Sequence, residues 1–275
     1  MRAVNLSDER RLLRVLFFPY SDAQSGPKFP VGYMMQLHDF LLALEERIAR
    51  YDLLCHPYYQ AWTAGELTHE DLREYAADYY HHVAAFPTYL SALHSRLPDG
   101  EMRRAVLRNL AEEEILGRPH SELWLDFAEG MGAGRDEVRQ REPLPQVQAL
   151  IAEFRRLARY SAYVQAIAAF YAYESQVPRI AKQKADGLAQ RYGADAKTCG
   201  YFTLHQFADV EHADVWRELL SAEVAAHPEL AQAALDSAEA AAQALWFVLD
   251  GMEARRTGAM MDNLSGHGTY QTHSS

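Results

Sequence analysis

The sequence predicts an all-α protein built as a bundle of amphipathic helices. From about residue 34 onward, apolar residues recur at the three- and four-residue spacing of a helix, and no segment alternates apolar and polar residues as a half-buried strand does. The connections between these segments are short, which favours packing of each helix against its neighbours. With 275 residues, of which 49% are hydrophobic, the chain can enclose one sizeable core, so we expect one domain.

The helices are predicted in the following order. The first three lie in the segments LHDFLLALEERIARYDLL, HEDLREYAADYYHHVAAFPTYLSALHSRL and GEMRRAVLRNLAEEEI. The run PQVQALIAEFRRLARYSAYVQAIAAFYAYESQVPRIAKQKADGLAQRYG then forms one or two long helices that end near Gly193. A helix containing HQFADVEHADVW follows, and an Ala-rich helix from about Glu229 to Met252 completes the bundle.

The two ends of the chain lack this periodicity and contain turn-forming residues. We therefore expect a mobile N-terminal segment over residues 1–33, a helical domain over residues 34–256 and a disordered tail over residues 257–275. No stretch has the length and apolar character of a signal peptide or a membrane span. Only two cysteines occur, so a disulfide framework is excluded and a cytoplasmic location is expected. The net charge of −11 argues against nucleic-acid binding, which requires clustered Lys and Arg.

The segment HQFADVEHADVW carries two histidines and one aspartate at offsets of zero, four and seven, namely His205, Asp209 and His212. At about 100° per residue, these side chains fall within about 60° of one helix face. A helix that aligns two imidazoles and a carboxylate is a candidate metal-binding helix, although polar residues at the edge of an ordinary helix produce the same pattern. The other ligands must come from facing helices, as in bundle-type dimetal proteins.

One facing segment is AEEEILGRPHSELW, in which Glu113 and His120 are seven residues apart. This spacing places them two helical turns apart, on the same side. Gly117 and Pro119 disfavour a continuous helix between the two residues, so we expect a distorted helix here.

A second facing segment contributes Glu174, within the apolar and aromatic stretch AIAAFYAYESQVPRIA. An ionised carboxylate in such surroundings is costly unless it is paired or coordinates a cation. Pro178 has no N–H to donate to the Glu174 carbonyl, so we expect the helix to kink at Glu174. The alternative is a glutamate at an exposed helix edge, paired with Arg179.

Three carboxylates and three imidazoles would offset most of the charge of two divalent ions. Mixed nitrogen and oxygen ligation suits iron or manganese, as Fe/Fe or Mn/Fe, whereas the lack of paired thiolates argues against a structural zinc site. We therefore predict a site for two metal ions. We interpret His81, His82 and His94 as core-edge or surface residues outside this site.

With these residues, the sequence resembles the haem-oxygenase-like dimetal oxidases, and most closely the CADD-like proteins that make para-aminobenzoate for folate. The similarity runs from about residue 56 to beyond residue 246. It includes the segments HPYYQAWTAGELTHEDLREYAADYYHHVAAFPTYLSALHSR, AEEEILGRPHSELW, YESQVPRIAKQK and YFTLHQFADVEHADVW. The resemblance implies a haem-oxygenase-like bundle and the same six metal ligands: Glu113, His120, Glu174, His205, Asp209 and His212.

The resemblance also implies that the protein is its own substrate. In such a reaction, a tyrosine side chain supplies the ring and the carboxyl carbon, and a lysine supplies the amino nitrogen. By position in the motifs, Tyr59 in HPYYQAW is the consumed tyrosine, Lys184 in RIAKQK is the nitrogen donor and Tyr75 is a further site tyrosine. Tyr58 and Lys182 are the competing choices. Dioxygen and an external electron donor are the expected co-reactants, and a homodimer is one alternative for the oligomeric state.

Other activities on the same fold stay open at this point. A PqqC-like oxidase or a TenA-like enzyme would not need six metal ligands. A dimetal oxidase acting on a free small molecule would turn over repeatedly on an added substrate. An interaction role of the death-domain type is the alternative from another functional class, although the sequence carries no exposed apolar repeat that indicates such an interface.

Overall fold

A computed structural model describes the backbone of residues 31–258 and the side chains from residue 37 onward. The described residues are helical and contain no strand, which confirms the predicted all-α class. The first helix begins at Val31, three residues before the predicted domain boundary at residue 34. Residues 1–30 and 259–275, which cover most of the predicted mobile segment and the predicted tail, lie outside the described residues.

Two short 3₁₀ turns, Leu53–Cys55 and Pro228–Leu230, accompany the α-helices of the described part of the chain. In chain order, these α-helices are α1 (Val31–Ala49), α2 (Pro57–Ala64), α3 (His69–His94), α4 (Glu101–Glu114), α5 (His120–Gly130), α6 (Arg135–Gln140), α7 (Pro145–Tyr160), α8 (Tyr163–Glu174), α9 (Val177–Arg191), α10 (Gly200–Ala226) and α11 (Ala231–Arg256). Within the described range, no helix has the length and apolar character needed to cross a bilayer.

The long run predicted as one or two helices forms three, α7, α8 and α9. The unpredicted break lies at Ser161, whose backbone is extended. The carbonyl groups of Ser161 and Ala158 both accept hydrogen bonds from the Arg96 guanidinium. A distant arginine therefore satisfies carbonyl groups at the end of α7, and local periodicity contains no sign of this. The second break follows Glu174, as the position of Pro178 predicts.

Helix α8 lies at the centre of the bundle and packs against α10 and α11. Nearly all of its residues from Val164 to Glu174 are buried, which is the pattern of a helix covered on every side. Helix α9 packs along α10, and α3 packs against α4, α5 and α7. These contacts place the polar residue at the end of α8 inside the protein, facing α10.

His82 corrects one prediction, because its side chain is fully buried and does not lie at the edge of the core. The aromatic rings of Phe86, Phe154 and Tyr173 surround the imidazole. Burial lowers its pKa to about 3, so the ring is neutral. The helical pattern assigns His82 to the edge of the core if only one face of α3 is buried. Other helices pack against α3 on several sides, so this position is buried as well. His81 and His94 are partly exposed, as predicted.

Candidate metal centre and adjoining chamber

The six predicted ligands lie together inside the bundle in two groups of three, and all six are buried. Within each group, one potential ligand atom from every residue lies within 4.8 Å of the others. The first triad consists of Glu113, His120 and His205, and the second triad consists of Glu174, Asp209 and His212.

The first triad is assembled from three helices. Glu113 lies in the last turn of α4 and His120 begins α5, so the helix ends between them and the expected distorted helix is not found. Gly117, in this connection, has a φ of 99°. The Nδ1 atom of His205 on α10 lies 2.8 Å from the carbonyl oxygen of Tyr201. Since a carbonyl can only accept a hydrogen bond, Nδ1 carries the proton and Nε2 is left with the lone pair that a metal requires.

The second triad combines the end of α8 with the middle of α10. Asn109 Nδ2 donates to Glu174 Oε1 at 3.2 Å, and Trp216 Nε1 donates to Glu174 Oε2. On His212, Nε2 lies 2.7 Å from Glu112 Oε2, so the opposite nitrogen, Nδ1, faces the triad. Outer partners of this kind fix the orientation of ligand side chains.

Several buried polar atoms of the two triads have no hydrogen-bond partner within the protein. His120 Nδ1 lies 2.9 Å from a Glu113 oxygen, and His212 Nδ1 lies 3.3 Å from an Asp209 oxygen, yet neither pair has the angles of a hydrogen bond. Burial raises the pKa of Glu174 to about 8, which reflects the cost of an ionised carboxylate at this position. A cation within each triad would bind the unpaired nitrogen and oxygen atoms and would stabilise the ionised carboxylate. The donor set therefore fits metal ions.

The alternative considered for Glu174, an exposed edge with Arg179 as partner, is wrong. Glu174 is 1% exposed, and the Arg179 guanidinium instead lies 3.2 Å from Asp52.

A small cavity of about 10 Å³ lies between the two triads. Glu113 and His205 from the first triad line it, as do Glu174 and Asp209 from the second. Its volume matches a single water-sized molecule, because about 10–15 Å³ is needed to hold one water. The space between the triads is therefore about the size of one water molecule.

A second cavity, the chamber, has a volume of about 30 Å³ and adjoins the first. Tyr59, Tyr75 and Lys184 line it, and the rings of Tyr173 and Tyr201 border both cavities. Lys184 Nζ lies 2.7 Å from the Tyr59 hydroxyl oxygen and 2.5 Å from that of Tyr75. The two hydroxyl groups are 2.9 Å apart, so the amine and the two phenols form one hydrogen-bonded cluster.

Burial controls protonation in the chamber. Desolvation lowers the pKa of the Lys184 amine well below its ordinary value, and it raises the pKa values of Tyr59 and Tyr75 well above theirs. The rings of Tyr59 and Tyr75, with centroids 4.1 Å and 4.5 Å from Nζ, favour the charged amine. Among the described residues no carboxylate binds the amine, so desolvation outweighs the rings and favours a neutral amine beside two protonated phenols.

The structure also separates the competing residues. Lys182 lies on the surface, where its amine is 2.7 Å from Asp186 Oδ2, whereas Lys184 is buried in the chamber. The hydroxyl group of Tyr58 donates to the Asp71 carbonyl, and the hydroxyl group of Tyr59 faces Lys184. Tyr75, Tyr59 and Lys184 therefore lie together.

Several residues of the site were missed by the sequence analysis. Asn109, Tyr201 and Trp216 each lie four residues from a triad residue on the same helix, and this spacing was the available signal. Tyr173 directly precedes Glu174 and borders both cavities. Glu112, a partly exposed residue directly before Glu113, has no signal in its spacing.

A family of iron-containing redox enzymes has a sequence profile that matches residues 73–246, well over half of the chain. This range includes all six triad residues, together with Tyr75 and Lys184. The chain belongs to this family. As a member of the iron-containing redox enzymes, it is an oxidoreductase. Tyr59 lies outside the matched range, on its N-terminal side.

Individual proteins are similar to this chain over most of their own length. A 4-aminobenzoate synthase from Nitrosomonas europaea is 38% identical over 79% of this chain and 92% of its own length. A 4-aminobenzoate synthase from Chlamydia pneumoniae is 40% identical over 64% of this chain and 79% of its own. A Shewanella denitrificans domain with a haem-oxygenase-like fold superposes with a TM-score of 0.68 at 20% identity, covering 86% of this chain and 98% of that one. The resemblance and fold predicted from the sequence are confirmed.

Proposed function

We propose that this protein synthesises 4-aminobenzoate, a folate precursor, from its own Tyr59 side chain and the amine nitrogen of Lys184. The observation that carries the proposal is the buried cluster in which the Lys184 amine lies 2.7 Å from the Tyr59 hydroxyl oxygen. The chain's similarity to two 4-aminobenzoate synthases supports this product.

The cavity volumes favour a substrate that is part of the protein. The chamber of about 30 Å³ and the space between the triads of about 10 Å³ are far below the roughly 300–1,000 Å³ of ordinary ligand pockets. A larger groove of about 590 Å³, lined by Thr88, Arg96 and Arg159 among others, contains no residue of the triads or the chamber. A tyrosine already built into the chamber wall needs no additional space before the reaction.

We propose that the two triads hold two metal ions, of which iron is indicated by the family and manganese is the alternative. When bound and reduced, such ions supply the oxidising power of dioxygen activation, which side chains alone cannot provide. The triad side chains hold the ions in fixed positions. Tyr173 and Tyr201 line the wall between this centre and the chamber.

The residues of the chamber position and activate the amine. A neutral Lys184 has a lone pair that can attack the ring, and the buried site favours that form. Tyr75 hydrogen bonds to both reacting groups, so it orients Nζ toward Tyr59. The small volume of the aromatic chamber limits the number of water molecules that could compete with the amine for an oxidised ring.

The bonds of the conversion follow from the product. The Tyr59 Cα–Cβ bond breaks, Cα gains a hydrogen and becomes the Cα of a glycine, and Cβ is oxidised to the carboxyl carbon. At the opposite end of the ring, Lys184 Nζ replaces the phenol oxygen, which leaves as water. The Nζ–Cε bond breaks and Cε is oxidised to an aldehyde. Two molecules of dioxygen are the oxidant, an external donor supplies two electrons and two protons, and two molecules of water form in all. Each chain can form at most one molecule of product in this way.

Isotope transfer tests the proposal directly. Protein containing ring-labelled tyrosine and side-chain ¹⁵N-lysine is loaded with metal and allowed to react with reductant and dioxygen. We expect both labels in 4-aminobenzoate, and a peptide map should show loss of the Tyr59 side chain and of the Lys184 amine. Tyr59→Phe should abolish the product, whereas Tyr58→Phe and Lys182→Arg are the matched controls that retain it.

Two outcomes would contradict the proposal. Repeated turnover on an added small molecule, with Tyr59 intact, would favour a conventional dimetal oxidase. Unlabelled nitrogen in the product would remove Lys184 as the donor while leaving the role of Tyr59 standing.

A further inference from the structure

Helix α2, which carries Tyr59, has an unusual N-cap residue. The helix is only eight residues long, and a helix of this length is marginal unless its ends are fixed. His56 has an extended backbone immediately before the helix, and its Nδ1 atom accepts a hydrogen bond from the Tyr58 N–H at 3.0 Å. The imidazole thus takes the place of the Ser, Thr, Asp or Asn side chain that usually caps a helix.

The other face of the imidazole is tied to a distant helix. Because Nδ1 accepts a hydrogen bond, Nε2 carries the proton, and it donates to Asp250 Oδ1 on α11 at 3.1 Å. The ring packs edge-on against Trp246, also on α11, with centroids 4.6 Å apart. The side chain is 1% exposed. His56 therefore caps the first turn of α2 and, as a smaller contribution, also ties that turn to α11.

The rotation of α2 decides which tyrosine meets the lysine. Tyr58 and Tyr59 are adjacent, so their side chains point about 100° apart around the helix. Tyr59 hydrogen bonds to Tyr75 and Lys184, while the Tyr58 ring stacks on the same Tyr75 at 5.8 Å between centroids. Both tyrosines therefore contact Tyr75. The rotation of this short helix about its axis determines which of the two hydroxyl groups hydrogen bonds to Lys184.

We infer that His56 is a positioning residue that holds α2 in the register presenting Tyr59, rather than Tyr58, to Lys184. The inference rests on the proposed consumption of Tyr59. His56 acts through the helix backbone and takes no part in the bonds that form or break.

The test compares His56→Ala, which removes the cap, with His56→Asn, which restores a good cap without the imidazole. Peptide mapping after reaction of the full, metal-loaded chain gives the ratio of consumed Tyr59 to modified Tyr58, which reports the equilibrium between the two registers. We expect this ratio to fall about fivefold in His56→Ala, the change in an equilibrium constant that loss of a typical cap produces, and to recover to within about twofold of wild type in His56→Asn. Modified Tyr58 should appear in His56→Ala.

Two further variants exclude general destabilisation. Thr68→Ala removes the cap of the neighbouring helix α3, so it should leave Tyr58 unmodified despite a similar loss of stability. Asp250→Ala frees the imidazole without removing it, and we expect a smaller fall, of about twofold, in the ratio of consumed Tyr59 to modified Tyr58. This variant gives the answer if His56→Ala does not fold. Metal content should equal that of wild type in all four proteins.

Amide hydrogen exchange provides a readout independent of the reaction. In metal-free protein, the amides of Tyr58 and Tyr59 should exchange faster in His56→Ala than in His56→Asn or Thr68→Ala. The inference is overturned if His56→Ala consumes Tyr59 as wild type does, or if His56→Asn is as defective as His56→Ala. An intact Tyr59 in wild-type protein that makes product would instead refute the proposed function, and the exchange data would still decide whether His56 fixes α2.

Discussion

The metal centre and the chamber each contain a buried base, and the two bases respond to burial in opposite ways. Burial opposes the charged form of His212, but the carboxylates of Asp209, Glu112 and Glu174 surround the ring and hold its pKa well above the ordinary value. Lys184 has phenols as its hydrogen-bonding partners, and burial drives its pKa well below the ordinary value. In the metal-free protein, the close carboxylates of His212 and their absence around Lys184 therefore account for the opposite directions of these two pKa shifts.

This difference explains why the two regions are adjacent but separate. A lysine inside the metal centre would pair with its carboxylates and become an ammonium ion, which has no lone pair for attack on a ring. A metal centre built from phenols and an amine would lack the anionic ligands that balance two cations. The rings of Tyr173 and Tyr201 border both cavities. The metal centre and the chamber are therefore adjacent, and each region keeps its own electrostatic environment.

The largest effect should come from removing one anionic ligand. Glu113→Gln neutralises a buried member of the first triad, and we expect the metal content to fall from two ions to one and product formation to drop by more than about 100-fold, beyond the effect of losing an outer partner. Glu114→Gln is the matched control, because the adjacent side chain is exposed. Metal analysis and product yield measure both variants. Full metal content in Glu113→Gln would exclude this triad as a metal site.

The second test places a carboxylate in the chamber. Ala181 lines the chamber and precedes Lys184 by three residues on α9, so a side chain there faces the amine. Ala181→Asp should hold Lys184 in its charged form and cut the neutral fraction, and with it the product yield, by about 100-fold. Ala181→Asn has the same size without the charge and should retain much more activity. Equal activity of the two variants would show that lysine neutrality is not required.

How far the sequence predicts this molecule depends on whether a feature is local. Helical spacing was enough to group His205, Asp209 and His212, since the three share one face of α10. It was also enough to identify Glu174 as a polar residue in apolar surroundings. The broken helix at Ser161 and the buried position of His82 depend on side chains from distant segments, which periodicity within one helix does not reveal.

The chamber is the least local feature of the protein. Lys184 is 125 residues from Tyr59 and 109 from Tyr75, so no spacing rule relates the three residues. The resemblance named these three residues and left Tyr58 and Lys182 as rivals. Only the packing of α2, α3 and α9 shows which members of each pair share the buried cluster.

The third test measures the energetic cost of the neutral lysine in metal-free protein. The pKa of Lys184 is depressed in the folded state, so between that pKa and the ordinary value near 10.4 the unfolded chain binds the extra proton. Stability from this group is therefore fully present above about pH 10.4 and is lost as the pH falls toward the folded pKa, by up to about 1.4 kcal/mol per pH unit. Lys184→Met should remove this dependence and be more stable than wild type at pH 7.

Denaturant unfolding at pH 7 and pH 9 measures this effect, and Lys182→Met is the matched control. Lys182 is exposed and paired with Asp186, so its replacement should leave the pH dependence of wild type in place. A wild-type protein whose stability does not rise relative to Lys184→Met over this range would indicate a charged lysine in the chamber.

The smallest expected effect concerns the outer carboxylate of the metal centre. Glu112 Oε2 lies 2.7 Å from His212 Nε2, and this contact orients the ring and increases the electron density on the nitrogen facing the second triad. Glu112→Gln keeps the hydrogen bond but removes the charge, and because Glu112 is partly exposed, we expect only about a tenfold loss of affinity, at the low end for outer partners. Titration of metal-free protein with Mn²⁺ or Fe²⁺ under anaerobic conditions should show the loss in one of the two binding steps, with the other unchanged. An equal loss in both steps would mean that the triads bind as one cooperative unit. The two triads would then share one electrostatic environment, and only the chamber would differ from it.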